Sequence, residues 1–415
     1  MLFENDLGAF EQASGSVLPI SYDLSVELFP SKNEVRVRCL IEFETDSDEV
    51  SALLDHSFKV SSIKMEGRSQ PLSREGDTLR FKTKPGRKHI ELEYRGVLNE
   101  YLANVVSVDQ VELNLNLPWY PLLSLKRLFV ATLTIGLPDM AAADSARFEL
   151  YTQKVGRVSL GNRVELNPAF DICIVGGRDP KGRATEGDVS VISFVSDGDR
   201  VSELLKAAKD VRDFNRSLYG PMPTSHLNVF ETTRKSLGGY SREGLVCLQS
   251  QEGTSIESST SLLAHEIAHQ WWGPGAGVSS LEDWLSEGVA TYSQYLYLRG
   301  RLGPGESKKY LERNLTKLTT SRGVSIANTV AWKQESFVVS RFGGLFALLE
   351  FQRECPGFVT HLGEFFRGHK GTFVSSTDFI EFFSRWIDPP KMKELIRDKN
   401  AWSAEEVQDS INSAV

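Results

Sequence analysis

Leu262–Tyr292 reads LLAHEIAHQWWGPGAGVSSLEDWLSEGVATY. His265 and His269 stand four positions apart, so on a helix both imidazoles leave one face about a turn from each other. That spacing lets two ring nitrogens reach a single Zn²⁺, and Glu266 between them is placed to hold a water against it. A catalytic zinc needs three protein ligands and one open position. The third is expected from a following helix, because Leu281, Trp284, Leu285, Val289 and Tyr292 recur at three- and four-residue steps. Glu287 lies within that run beside Gly288, where a carboxylate could approach the first helix closely. The PGAG between the two segments reads as a turn that lets the helices pack.

At these residues the chain resembles the aminopeptidase N family of zinc peptidases, the gluzincins. HEIAHQWWG followed by WLSEGVATY looks like that family's H-E-x-x-H and N-E-G segments. The resemblance implies His265, His269 and Glu287 as zinc ligands and Glu266 as general base. Here 17 residues separate His269 from Glu287, one fewer than is usual in the family, a change a loop absorbs easily. The WLSEG context favours Glu287 over Glu282 or Asp283.

Two further segments depart from the family pattern. The family's G-A-M-E-N-x-G-L stretch, whose Glu binds a substrate's free α-amine, corresponds to GGYSREGL at 238–245. Gly238, Gly239, Gly244 and Leu245 match, but Ser241 stands at the Glu position and Arg242 at the Asn position. Glu243 on a strand would share a face with Ser241 and is a candidate stand-in. Gly238, Gly239, Tyr240 and Ser241 are expected to form an edge strand that pairs with an extended substrate, with altered recognition of the amine. The family's oxyanion-stabilising Tyr precedes a glycine, and VVSRFGGLFALLE at 338–350 is the counterpart. Aligning Gly343 puts Ser340 at that position; aligning Gly344 puts Arg341 there. No tyrosine follows Tyr310, so Arg341, Ser340, His361, His369 and Tyr310 are the candidates to replace it.

Outward from this centre, residues 20–93 alternate apolar and polar in runs such as EVRVRCLIEFET and HIELEYRG, which predicts strands. Strands continue through VELNLNL, LFVATLTIGLP, RFELYT and VISFVS. Trp119-Tyr120-Pro121 reads either as a wall of the cleft, as the resemblance implies, or as an aromatic patch packing two domains together. VSELLKAAKDVRDFNRSLYG puts Leu204, Leu205, Ala208, Val211, Phe214 and Leu218 on one helical face. The expected organisation is α+β: residues 1–196 as an N-terminal β-saddle, sandwich-like domain and 197–415 as a thermolysin-like, mostly helical zinc metallopeptidase domain. Residues 388–415 read as a short helical tail, too few for the long C-terminal domain of full-length family members.

With 415 residues, 40% hydrophobic and 25% charged, the chain has the composition of ordinary globular domains. A net charge of −8 argues against a nucleic-acid partner. Four scattered cysteines without a C-x-x-C pair suggest neither a disulfide framework nor a cysteine metal site. MLFENDLGAFEQ lacks the pattern of a secretory signal, and no run of 18 apolar residues occurs, so a cytoplasmic protein without a membrane partner is expected. The sequence therefore predicts a zinc-dependent hydrolase acting on amide bonds of peptides or peptide-like small molecules. Two alternatives stay open: a repurposed zinc hydrolase acting on a non-peptide amide or ester, and a zinc-retaining, non-catalytic scaffold.

Overall fold

The computed structural model describes residues 17–100, 104–124, 127–169, 171–235, 238–249, 254–278, 282–329 and 334–414. The N-terminal MLFENDLGAFEQ and Leu281 lie outside them.

Strict alternation builds the first half. In Glu34–Thr45 the side chains of Val35, Val37, Cys39, Ile41 and Phe43 are buried while Arg36, Arg38 and Leu40 face out, the period-two pattern of a half-buried strand. This strand pairs antiparallel with Val17–Phe29 on one side and Gly86–Val97 on the other, at the centre of a seven-stranded sheet. Phe129–Gly136 adds to Val17–Phe29 in parallel. Side chains from a three-stranded and a five-stranded sheet join the same core. Trp119 and Tyr120 are fully buried in it, and the Trp119 indole N–H donates to Ile172 O at 2.9 Å. Fully buried rings do not wall a cleft, and these pack within the core of the β-rich half, Tyr120 against Tyr22 and Phe129, rather than as a patch between two domains.

A second five-stranded sheet runs, in spatial order, Gly182–Glu186, Val189–Ser193, Leu227–Thr232, Leu245–Gln249 and Gly239–Arg242. It begins before residue 196, because Val189–Ser193 pairs forward, in parallel, with Leu227–Thr232. A parallel pair needs a crossover, and helix Gly198–Tyr219 provides it, burying Leu204, Leu205, Ala208 and Val211 as the periodicity predicts. Helices then dominate to the end. Ser375 opens Ser376–Phe383 with a capping box closed by Asp378. The last residues are no tail: Met392, Ile396, Trp402, Val407 and Ile411 are buried in the helical core, and Tyr295 donates its hydroxyl to Ala414 O at 2.6 Å. The architecture is thus α+β, sheet-rich first and helical second. Among the described residues no helix is long and apolar enough to cross a membrane, and all four cysteines are buried and unpaired.

Candidate metal centre

Helix Ile256–Ala268 starts at Ser255, whose hydroxyl accepts the Ser258 amide at 3.2 Å. Its Leu263, Ala264 and Ile267 are buried in the helical core, and on the other side Glu266 lies against Gly239 of the sheet while His265 faces Glu287 and Thr291; His269 caps the last turn. The His269 Nδ1–H donates to Trp272 O at 3.0 Å, and His265 Nδ1 lies 3.5 Å from Thr291 Oγ1. Engaging both Nδ1 atoms leaves the Nε2 atoms to face one another at 3.2 Å. Glu287, in helix Trp284–Leu302, brings Oε2 to 3.1 Å from His265 Nε2 and Oε1 to 3.6 Å from His269 Nε2. Ligand atoms around a tetrahedral zinc, with bonds of about 2.0–2.1 Å, stand about 3.3 Å apart. The three side chains therefore fit such an ion. Burial, with the Arg341 cation adding to it, pushes His265 down to about 4, so its ring is neutral as a metal ligand must be. Burial raises the Glu287 carboxyl, but the Arg341 charge, together with His269 and the hydrogen bond and charge of His265, outweighs it and holds the group well below the usual carboxylate range.

Glu266 is 3% exposed and has no hydrogen-bond partner among the described residues; burial raises its carboxyl above the usual range. A Cβ on Gly239 would stand 2.8 Å from Glu266 Cγ and Oε1, so glycine is what lets strand Gly239–Arg242 lie against this carboxylate. That strand is the last in its sheet and pairs with Leu245–Gln249 on one side alone among the described residues, as expected for an edge strand. Gly238 is exposed just before it. Tyr240 turns inward and donates its hydroxyl to Glu112 Oε2 at 2.9 Å. Ser241 Oγ accepts from Gln270 Nε2 at 2.6 Å. Glu243 does not share the face of Ser241: it sits in the turn closed by Gly244, at φ +72°, and pairs with Lys154 at 3.0 Å.

Sequence reasoning missed the pair behind the strand. Arg234 Nη1 donates to Glu112 Oε2 at 2.8 Å, with both side chains at 0% exposure. Arg242 likewise pairs with the buried Asp171. These partners lie 122 and 71 positions apart, so no local pattern links them.

Gly288 also departs from expectation. It faces Gly344 rather than the histidine helix: a Cβ on Gly288 would meet Gly344 Cα at 2.8 Å and Ser340 O at 2.9 Å. This close crossing brings the π-helical turn Val339–Gly343 against Glu287. Arg341 Nε lies 2.7 Å from Glu287 Oε2, at ion-pair distance although its N–H is not aligned as a hydrogen bond. Of the five candidates for the missing tyrosine, Arg341 is the one brought to the centre. The Tyr310 hydroxyl donates to Gln294 Oε1 at 2.7 Å, and Ser340 is buried with its hydroxyl 3.3 Å from Phe337 O. His361 pairs with Glu364 at 3.0 Å, and His369 bonds Phe365 O at 2.9 Å.

A second group with ligand atoms close together, Asp55, His56 and Asp77, lies in the β-rich half. There the carboxylates accept the Ser57 and His56 amides at 2.8 and 2.7 Å and so close a turn.

No protein-family model matches the sequence, and no curated protein matches it. Solved structures do match the fold. The M1 zinc metallopeptidase from Deinococcus radiodurans aligns over 96% of this chain and 95% of its own, with a TM-score of 0.66 at 14% identity. A variant of it bound to a Tyr-Ser-Ala substrate aligns over 92% and 94%, with a TM-score of 0.65 at 14% identity. Native yeast LTA4 hydrolase gives 0.71 at 13% identity, over 94% of this chain and 69% of its own. At such identities the likeness establishes the fold, and chemistry has to be argued from the side chains.

Proposed function

We propose that this chain is a zinc-dependent hydrolase of amide bonds in peptides or peptide-like small molecules. In this reading a β-saddle domain is followed by a thermolysin-like catalytic domain that takes in residues 197–415 together with strands Gly182–Glu186 and Val189–Ser193 of its sheet. His265, His269 and Glu287 hold the metal, Glu266 is the general base, and Gly238, Gly239, Tyr240 and Ser241 bind substrate. The observation that carries the proposal is the convergence of His265 and His269 Nε2, 3.2 Å apart, on the Glu287 carboxylate, whose Oε2 lies 3.1 Å from the first and Oε1 3.6 Å from the second, with a buried, unpartnered carboxylate at Glu266 beside them. A metal held for structure alone needs no such base, which argues against the scaffold alternative.

Bound there, zinc would supply Lewis-acid polarisation of the scissile carbonyl and acidify a water. Glu266 takes the proton from the attacking water and passes it to the leaving nitrogen, a double duty that a raised carboxyl pKa favours. The strand at Gly239 offers main-chain groups to an extended substrate, aligning the carbonyl above Glu266. His269 and His265 keep their orientation through Trp272 O and Thr291.

The test is zinc content together with hydrolysis of a peptide and amide library. One zinc per chain, with turnover that falls by about 10²–10⁴-fold in Glu266→Gln while zinc is retained, is the expected result. A Glu266→Gln protein as active as the parent would remove the general-base assignment.

A further inference from the structure

The charges around the centre select the kind of substrate, on the premise that the site is the proposed hydrolase. A substrate with a free ammonium group needs an unpaired carboxylate next to the edge strand. Apart from Glu266, the carboxylates against this strand are Glu112, Asp171 and Glu243, and each is matched by a cation: Arg234, Arg242 and Lys154. Position 241, on the strand itself, carries a serine hydroxyl already bonded to Gln270. Among the described residues no unpaired carboxylate other than Glu266 is left at the strand to attract an amine.

Arg341 presents the opposite charge. Its guanidinium has five N–H donors, yet among the described residues its one ion-pair contact is Nε near Glu287, off the hydrogen-bonding axis. Nη1 and Nη2 have no hydrogen-bond partner among the described residues. The side chain is 26% exposed and lies over the ring of Phe337, Cζ 4.5 Å from its centroid, which fixes the plane of the fork. Arginine meets a carboxylate best through two parallel bonds from that fork, and Glu287 does not occupy it.

We propose that Arg341 is a specificity-determining residue that receives a carboxylate of the substrate close to the scissile bond. The substrates are then amides bearing an anionic group, of the N-acyl-amino-acid or dicarboxylic monoamide kind, and not compounds recognised by a free α-amine. In the reaction, water adds across the C–N bond: its oxygen goes to the acyl carbon, one proton travels by way of Glu266 to the leaving nitrogen and the other is released to solution, giving a carboxylate and an amine. Arg341 holds the bystander carboxylate throughout and exchanges no proton.

The test uses the full chain loaded with zinc and three hydroxamates of matched size, one bearing a carboxylate, one its methyl ester, one an α-ammonium group. Binding is read by calorimetry, with zinc counted in every sample. The carboxylate compound is expected to bind about 10–100-fold tighter than its ester, and the ammonium compound no tighter than the ester. In Arg341→Gln the preference for the carboxylate disappears, and in Arg341→Lys part of it remains. An ammonium compound that binds as tightly as the carboxylate one, or a preference that survives Arg341→Gln, overturns the proposal. Failure of the hydrolase reading looks different: zinc does not bind, or Glu266→Gln changes nothing. Hydrolysis of N-acetyl-amino acids and of N-succinyl amides then tells whether the carboxylate belongs to the leaving or the acyl side, either one supporting the proposal.

Discussion

Gly288→Ala tests the crossing that delivers Arg341. The added methyl would stand 2.8 Å from Gly344 Cα and 2.9 Å from Ser340 O. Carbon atoms rest about 3.5–4.0 Å apart, and both neighbours are backbone, so no side chain can swing away. Helix Trp284–Leu302 and the π turn must separate by about 0.7–1.2 Å. Overpacking of this kind costs about 1–3 kcal/mol, while removing a helical glycine returns about 0.5–1 kcal/mol. The net expectation is a loss of about 1.3 kcal/mol, within a span of about 0–2.5, read as a lower urea midpoint for the helical half. Gly368→Ala is the matched control: it makes the same chemical change in a helix where the methyl meets nothing within 4 Å, and it should raise the midpoint slightly. Opposite signs for the two substitutions are required. If Gly288→Ala raises the midpoint as Gly368→Ala does, the helices are not in backbone contact and the placement of Arg341 loses its cause.

Three further outcomes are expected. Gly239→Ala pushes on Glu266 from 2.8 Å and should lower kcat by about 10–100-fold with zinc content unchanged; unaltered kcat would separate the strand from the base. Arg234→Met strips the cation from Glu112, buried at 0% exposure, and should destabilise by about 3–5 kcal/mol; adding Glu112→Gln should recover most of that loss, and no recovery would mean the charge is not the cause. His269→Ala removes one of the three ligands, so dialysed protein should retain little zinc while its far-ultraviolet dichroism matches the parent; full zinc occupancy would move the site elsewhere.

Much of this molecule is legible in its sequence. Alternation in EVRVRCLIEFET predicts Glu34–Thr45 to the residue, because a half-buried strand writes its faces into neighbouring positions. The four-residue step from His265 to His269 and the run around Glu287 predict two helices, and the structure brings those three side chains together. Glycine at 239 was also visible, although its reason, contact with Glu266, was not.

What sequence alone determined is therefore local: element type, inward faces, and a metal-ligand pattern carried by residues one helical turn or one loop apart. Tertiary structure decided the rest of the site. Glu112 meets Arg234 and Tyr240, Asp171 meets Arg242, and Arg341 meets Glu287 across 54 to 128 positions of chain, contacts for which no periodicity exists. The last helices join the core for the same reason, since which apolar faces meet depends on how whole elements stack. Helix period and strand alternation follow from backbone geometry within a few residues; charge pairing and close glycine crossings follow from packing in three dimensions, and there the character of this centre, with Glu112 and Asp171 paired behind the strand and Arg341 turned toward Glu287, is set.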